Sequence, residues 1–321
     1  MRTHLLSLLP AGRRLRQLLA AALGAALMLG SSEAQAQETT IYGLGTLSQA
    51  VPIGNPFFRD GAPAGAQGLV QFDAATGFPK SPPVPVSGTA TAQVLVGMDY
   101  RPNTGQLYAL GYNAAASSAQ LYTLNPLTGV ATPVAPAFAL ALGDASTRIG
   151  FDFNPTVDRI RVVSGNGTNV RLDPTTGTVT NTDTGLAYAA GDANASRTPT
   201  VGSAAYTNSI IGSTSTTLYD VDQDKDQNNG SILAIQNPPN GGTLNTVAPV
   251  LLGGFSSVKA ILSLDIAYIG GVNRAYLSEV TEPNTNGLSS SNLYELNLTT
   301  GQTESNSKRN LVPARADSPF D

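Results

Sequence analysis

Beyond residue 36 the apolar residues fall in short runs, broken by clusters of glycine, proline, asparagine and threonine. No segment there keeps a helical period. The best candidate, Ala135 to Ala145, starts in a proline cluster and meets Gly143-Asp144, so it reads as a packed loop. The runs instead repeat in a fixed order. A first strand carries Val96-Gly-Met-Asp-Tyr100, Ile149-Gly-Phe-Asp-Phe153, Val201-Gly-Ser-Ala-Ala205 or Leu262-Ser-Leu-Asp-Ile266. A second follows as Gln106-Leu-Tyr-Ala-Leu110, Arg159-Ile-Arg-Val-Val163, Thr217-Leu-Tyr-Asp-Val221 or Arg274-Ala-Tyr-Leu-Ser278. These second strands are apolar at nearly every position, the pattern of a strand covered on both faces. A third strand, such as Gln120-Leu-Tyr-Thr-Leu124, runs into a turn, and a fourth follows the turn.

That turn is a box seen five times: Asp73-Ala-Ala-Thr-Gly77, Asn125-Pro-Leu-Thr-Gly129, Asp173-Pro-Thr-Thr-Gly177, Asn237-Pro-Pro-Asn-Gly241 and Asn297-Leu-Thr-Thr-Gly301. An Asx side chain bonds backbone N–H groups two residues on, and the glycine takes a positive φ, which together make a tight hairpin. The boxes stand 52, 48, 64 and 60 residues apart. Four short antiparallel strands at that period describe a blade of a propeller. The fold class is therefore all-β, a β-propeller of about five four-stranded blades, with repeats near 38–94, 95–147, 148–199, 200–260 and 261–321 of a single domain, 37–321. The first repeat lacks an inner strand. The tail around Asn310-Leu-Val312 is expected to supply it and close the ring.

Residues 1–36 read as a cleaved signal peptide. Arg2, Arg13, Arg14 and Arg16 precede the apolar stretch Leu18 to Gly30, and Ala34-Gln-Ala36 offers small residues to signal peptidase. Sec export to the periplasm or the extracellular space is expected, with no membrane span after the leader. Without the leader the formal charge is more negative than the −4 of the whole chain, and no basic cluster remains. Nucleic acid and anionic membranes are thus poor partners. A small molecule, a glycan or a protein is the expected partner.

Two stretches carry a family resemblance. One is Gly150-Phe-Asp-Phe-Asn-Pro155, Asp158-Arg-Ile-Arg-Val-Val-Ser164 and Asn169-Val-Arg-Leu172; the other is Ala204-Ala-Tyr-Thr-Asn208, Thr216-Thr-Leu-Tyr-Asp220 and Gln236-Asn-Pro-Pro-Asn240. Together they resemble the bacterial family called domain of unknown function 4394. The resemblance implies an exported, repeat-built β protein and carries over no catalytic residues.

Chemistry is bounded by what is missing. The only histidine is His4, inside the leader, and there is no cysteine or tryptophan. Histidine-based triads, thiol nucleophiles and nitrogen- or sulfur-ligated metals are excluded from the mature chain. Oxygen chemistry remains. Asp99, Asp152 and Asp265 share one register of the innermost strand, with Ala204 in the fourth copy. The simpler reading is that each bonds backbone donors of the adjoining blade; the sharper one is a ring of carboxylates around a cation. Asp222, Asp224 and Asp226 alternate in an acidic loop that can converge oxygens on Ca²⁺, although the EF-hand glycine and glutamate positions hold Gln227 and Leu233. Connections after second and fourth strands share the face opposite the boxes. On that loop face Arg59, Asp144, Asp192, Arg197, Glu279 and Glu282 are the binding candidates. The expected role is a non-enzymatic binding module; the alternative is a metal-assisted hydrolase, lactonase- or esterase-like, with Asp, Glu and Asn ligands.

Overall fold

The computed structural model describes residues 4–5, 22–25, 40–47, 50, 52–53, 60–223, 230–256, 260–281, 291–304 and 308–310. Its strands form a five-bladed β-propeller. The third blade has the plainest form: Ile149–Asn154, Arg159–Ser164, Asn169–Leu172 and Val179–Thr182, each antiparallel to the next. The second runs Val94–Arg101, Gln106–Asn113, Ser118–Leu124 and Ala131–Pro133. The fourth runs Val201–Tyr206, Leu218–Asp222, Ile232–Gln236 and Thr243–Pro249. The stretch read as a packed loop contributes the short strand Phe138–Ala139 and buries Leu140 and Leu142.

Apolar side chains from facing blades make the core. Phe151, Phe153, Ile160 and Val162 of the third blade pack with Tyr108, Leu110 and Leu121 of the second. Val221 and Leu233 of the fourth pack with Leu264, Leu277 and Tyr294 of the fifth. Both faces of a second strand are thereby covered, which is why those strands read as unbroken apolar runs.

Four boxes fold as their residues require. Asp73, Asn125, Asp173 and Asn297 each accept backbone N–H groups of their own turn, and Gly77, Gly129, Gly177 and Gly301 have φ of 67 to 73°. The fourth box departs from the expected pattern: Pro239–Gly241 form a 3₁₀ turn, and the positive φ belongs to Gly242. The box glycines also do something the sequence did not announce. A Cβ on Gly129 would stand 2.1 Å from the Pro85 carbonyl oxygen, on Gly242 2.3 Å from that of Thr184, and on Gly301 2.3 Å from that of Pro249. These three boxes are thus pressed against the outer part of the preceding blade.

The expected closure is corrected in one respect. Arg309 and Asn310 pair with Leu293 and Asn292, so they belong to the outer edge of the fifth blade, beside Ala260–Ile269, Val272–Thr281 and Ser291–Leu296. After Gly301 the chain reverses, Thr303 bridges Leu296, and the Glu304 N–H reaches the Glu295 carbonyl; Arg309 and Asn310 pair with the same strand in a register three residues further on. Leu311 and Val312 lie outside the described residues. The first blade, Thr40–Leu47, Gln67–Asp73 and Val84–Pro85, has its inner edge paired instead with Ala22–Ala25, a piece of the expected leader. That segment also lies against the inner strands of the second and fifth blades.

Candidate functional site: axial carboxylates and loop face

Inner strands of a propeller have no partner on the axial side, so their free backbone groups need donors and acceptors from elsewhere. The blades supply them to one another. Asp99 accepts the N–H of its own neighbour Tyr100 at 2.6 Å and that of Phe153 in the next blade at 2.8 Å. Asp152 accepts from Tyr206 of the fourth blade at 2.8 Å. The bonds to backbone donors of the adjoining blade that the simpler reading expects are present at these two aspartates. Where Ala204 interrupts the series, Ser203 takes over: its hydroxyl accepts from Leu264 N–H and donates to Leu264 carbonyl. Gln67 makes the same two-point contact with Leu95, and Gln223 with Leu262.

Asp265 breaks the pattern. Its Oδ1 accepts from Ile266, but its Oδ2 is buried with no hydrogen-bond partner. One carboxylate oxygen from each of Asp99, Asp152 and Asp265 lies within 4.8 Å of the others. Burial pushes all three upward, Asp99 to about 7, and the mutual repulsion of the carboxylates raises Asp152 and Asp265 further. This buried triad has the donor set of a hard cation.

The loop-face candidates fare differently. Asp144 is exposed and closes its own turn on Ser146 and Thr147, whose hydrogen bonds hold its carboxyl down at about 2. Asp192 bonds Asn194 and both the N–H and hydroxyl of Thr246, fastening its loop to the fourth blade. Arg197 and Asp222 meet each other at 2.8 Å. Asp222 is fully buried and also accepts from Tyr188 and Thr200. Glu279 accepts from Asn292 and Tyr294. Arg59, Glu282, Asp224 and Asp226 lie outside the described residues.

Two buried charges escaped the sequence reading. Arg161, in the middle of an apolar second strand, donates to Tyr206, Asn169, Asp183 and Asn240. Asp220 sits opposite Ala204, fully buried, with both oxygens unpartnered; burial lifts it to about 8, against the pull of Arg161. The available signal was a charged residue flanked by apolar ones in a strand covered on both sides.

A family model matches residues 68–312, most of the chain. The chain belongs to the family described as Domain of unknown function (DUF4394). No curated protein matches it in sequence. Solved structures share the architecture of this family member. They include RS223 β-xylosidase (12% identity, TM-score 0.52, covering 90% of this chain and 94% of that one). A GH43 β-1,3-galactosidase is 10% identical with a TM-score of 0.55, covering 92% of this chain. An exo-β-1,3-galactanase from Phanerochaete chrysosporium, solved with β-1,3-galactotriose, is 13% identical with a TM-score of 0.51, covering 90% of this chain. The chain spans 61% of the galactosidase and 63% of the galactanase. At such identities the likeness is one of fold.

Proposed function

We propose that the chain is an exported, non-enzymatic recognition disc, acting in the periplasm or outside the cell, that binds a small molecule, glycan or protein on its loop face. The observation that supports this most is how the described loop-face carboxylates are used. Asp144, Asp192, Asp222 and Glu279 each hold scaffold hydrogen bonds or an ion pair. A metal-assisted hydrolase needs several of those oxygens free for the ion and its water. The axial triad is a poor catalytic pair as well. Carboxyls that flank a glycosidic bond stand about 5–9.5 Å apart in a cleft, and these are buried within 4.8 Å of one another.

Glycans are the first class to test, because scaffolds of this architecture include one solved with a galactotriose. The second reading, a hydrolase of lactones, esters or glycosides carrying Ca²⁺ on loop-face oxygens, draws on the same shared fold. The full chain, immobilised, is presented with an oligosaccharide library and then assayed with chromogenic glycosides, esters and lactones in millimolar Ca²⁺. Saturable retention without turnover is expected. Turnover lost in Asp192→Asn replaces the binding module with the hydrolase.

A further inference from the structure

Three buried carboxyls within reach of one another pose a charge problem with two solutions. They keep protons, or a cation joins them. The nearest positive charge is Arg161, directly across the strand pair from Asp152, and its hydrogen bonds go to Tyr206, Asn169, Asp183 and Asn240, so among the described residues none of the three carboxyls holds an ion pair. The geometry then discriminates. Asp99 and Asp152 already spend an oxygen each on a backbone N–H of the next blade, which holds the two carboxyls in place with a lone pair to spare.

Asp265 supplies the second observation. It is only 5% exposed, and its Oδ2 has no donor, whereas the equivalent aspartates reach N–H groups of the next blade. A buried carboxylate oxygen left open is costly unless something occupies it. Oxygens bound to one Ca²⁺ at 2.3–2.6 Å stand at most about 5 Å apart, while the 2.0–2.1 Å of Mg²⁺ limits them to roughly 4.2 Å. Separations within 4.8 Å lie inside the span that one Ca²⁺ bridges.

We infer that Asp99, Asp152 and Asp265 form an axial site for one divalent cation of the Ca²⁺ class, fastening the inner strands of the second, third and fifth blades. The site uses none of the residues of the acidic loop 222–226 and none of the loop-face candidates. Its role is structural: one ion replaces the inter-blade hydrogen bond that Asp265 lacks. Carboxylates already bonded to backbone N–H groups retain a second lone pair, so Asp99 and Asp152 serve the strand and the ion together.

The test uses the full chain, stripped with EDTA and titrated with Ca²⁺ alone, with bound metal counted by elemental analysis. One equivalent is expected, with a melting temperature that climbs with Ca²⁺ as a ligand of the folded state requires. Asp265→Asn, neutral and nearly isosteric, is expected to weaken Ca²⁺ by roughly tenfold or more, because ligand charge sets affinity in such sites. The double change Asp224→Asn, Asp226→Asn is expected to leave binding intact. Wild type that binds no Ca²⁺ and melts identically in EDTA and Ca²⁺ overturns the site, and the triad is then a set of protonated acids. Binding lost in the loop variant but kept in Asp265→Asn overturns it too, by moving the ion to the loop.

Discussion

The joint between the third and fourth blades and the axis of the ring both bury charge, and they solve the problem in opposite ways. At the joint, Arg161 meets Asp183 at 2.6 Å, and Asp183 also takes two bonds from Arg171. Asn169, Asn240 and Tyr206 receive the other guanidinium N–H groups. Each of the three guanidinium nitrogens has an acceptor, and the members span residues 161 to 240, so the cluster locks strands distant in sequence. At the axis there are only acceptors, with one oxygen open. A saturated network is built to stay closed. An unsaturated one leaves room for something to bind, or for protons to come and go.

The sharpest way to break that comparison is to cut the saturated side. Arg161→Met keeps much of the volume and removes every donor, leaving the buried Asn169 oxygen without its charged partner and Asp183 dependent on Arg171 alone. Removing one partner of a buried network costs about 3–5 kcal/mol. Chemical denaturation is expected to show a loss of that size, and Arg161→Lys to recover only part, since an ammonium does not span the planar fork. A loss under 1 kcal/mol would mean the joint is no lock.

Asp220 offers an intermediate case, an unpartnered carboxyl close to the lock. Its folded form holds its proton up to about pH 8, while the unfolded chain releases it near the ordinary 3.8. Between those values the folded state binds more protons, so stability falls as pH rises from about 4 to 8 and is unaffected below that window. Asp220→Asn removes this contribution. The variant is expected to be more stable than wild type at pH 8, on the order of 1–3 kcal/mol, with the gain vanishing toward pH 4. The slope will not vanish entirely, because Asp99, Asp152 and Asp265, all raised, act with the same sign in the absence of a cation. Saturating Ca²⁺ is expected to flatten that remaining slope, which sharpens the contrast between an open and a closed cluster.

What the sequence revealed follows the range of the interactions. The boxes and the four-strand rhythm rest on turn chemistry within five residues and on apolar runs, and both were legible. The shared register of Asp99, Asp152 and Asp265 was legible for the same reason, since a repeat aligns its own copies. Arg161 was not, because its partners are scattered and its strand reads as apolar on either side. Asp222 looked equal to Asp224 and Asp226 in an alternating string, yet it ends a buried strand against Arg197 and Tyr188. The position of Arg309–Asn310 on the fifth blade depends on where a hairpin stops zipping, which composition does not encode.

The smallest effect should come from the most repetitive feature. Asn297 accepts from Thr299 and Thr300 in an exposed turn, and its amide reaches Glu304 at 3.2 Å. Water replaces such bonds at little cost, so Asn297→Ala is expected to lose about 1 kcal/mol. The backbone bond from Gly301 to the Asn297 carbonyl and the close seat of Gly301 on Pro249 survive the change. Equal losses in Asn297→Ala and Arg161→Met would show that the ring is held at its rim by the box turns. The expected ratio, several to one in favour of Arg161, places the hold between blades, where the distant partners meet.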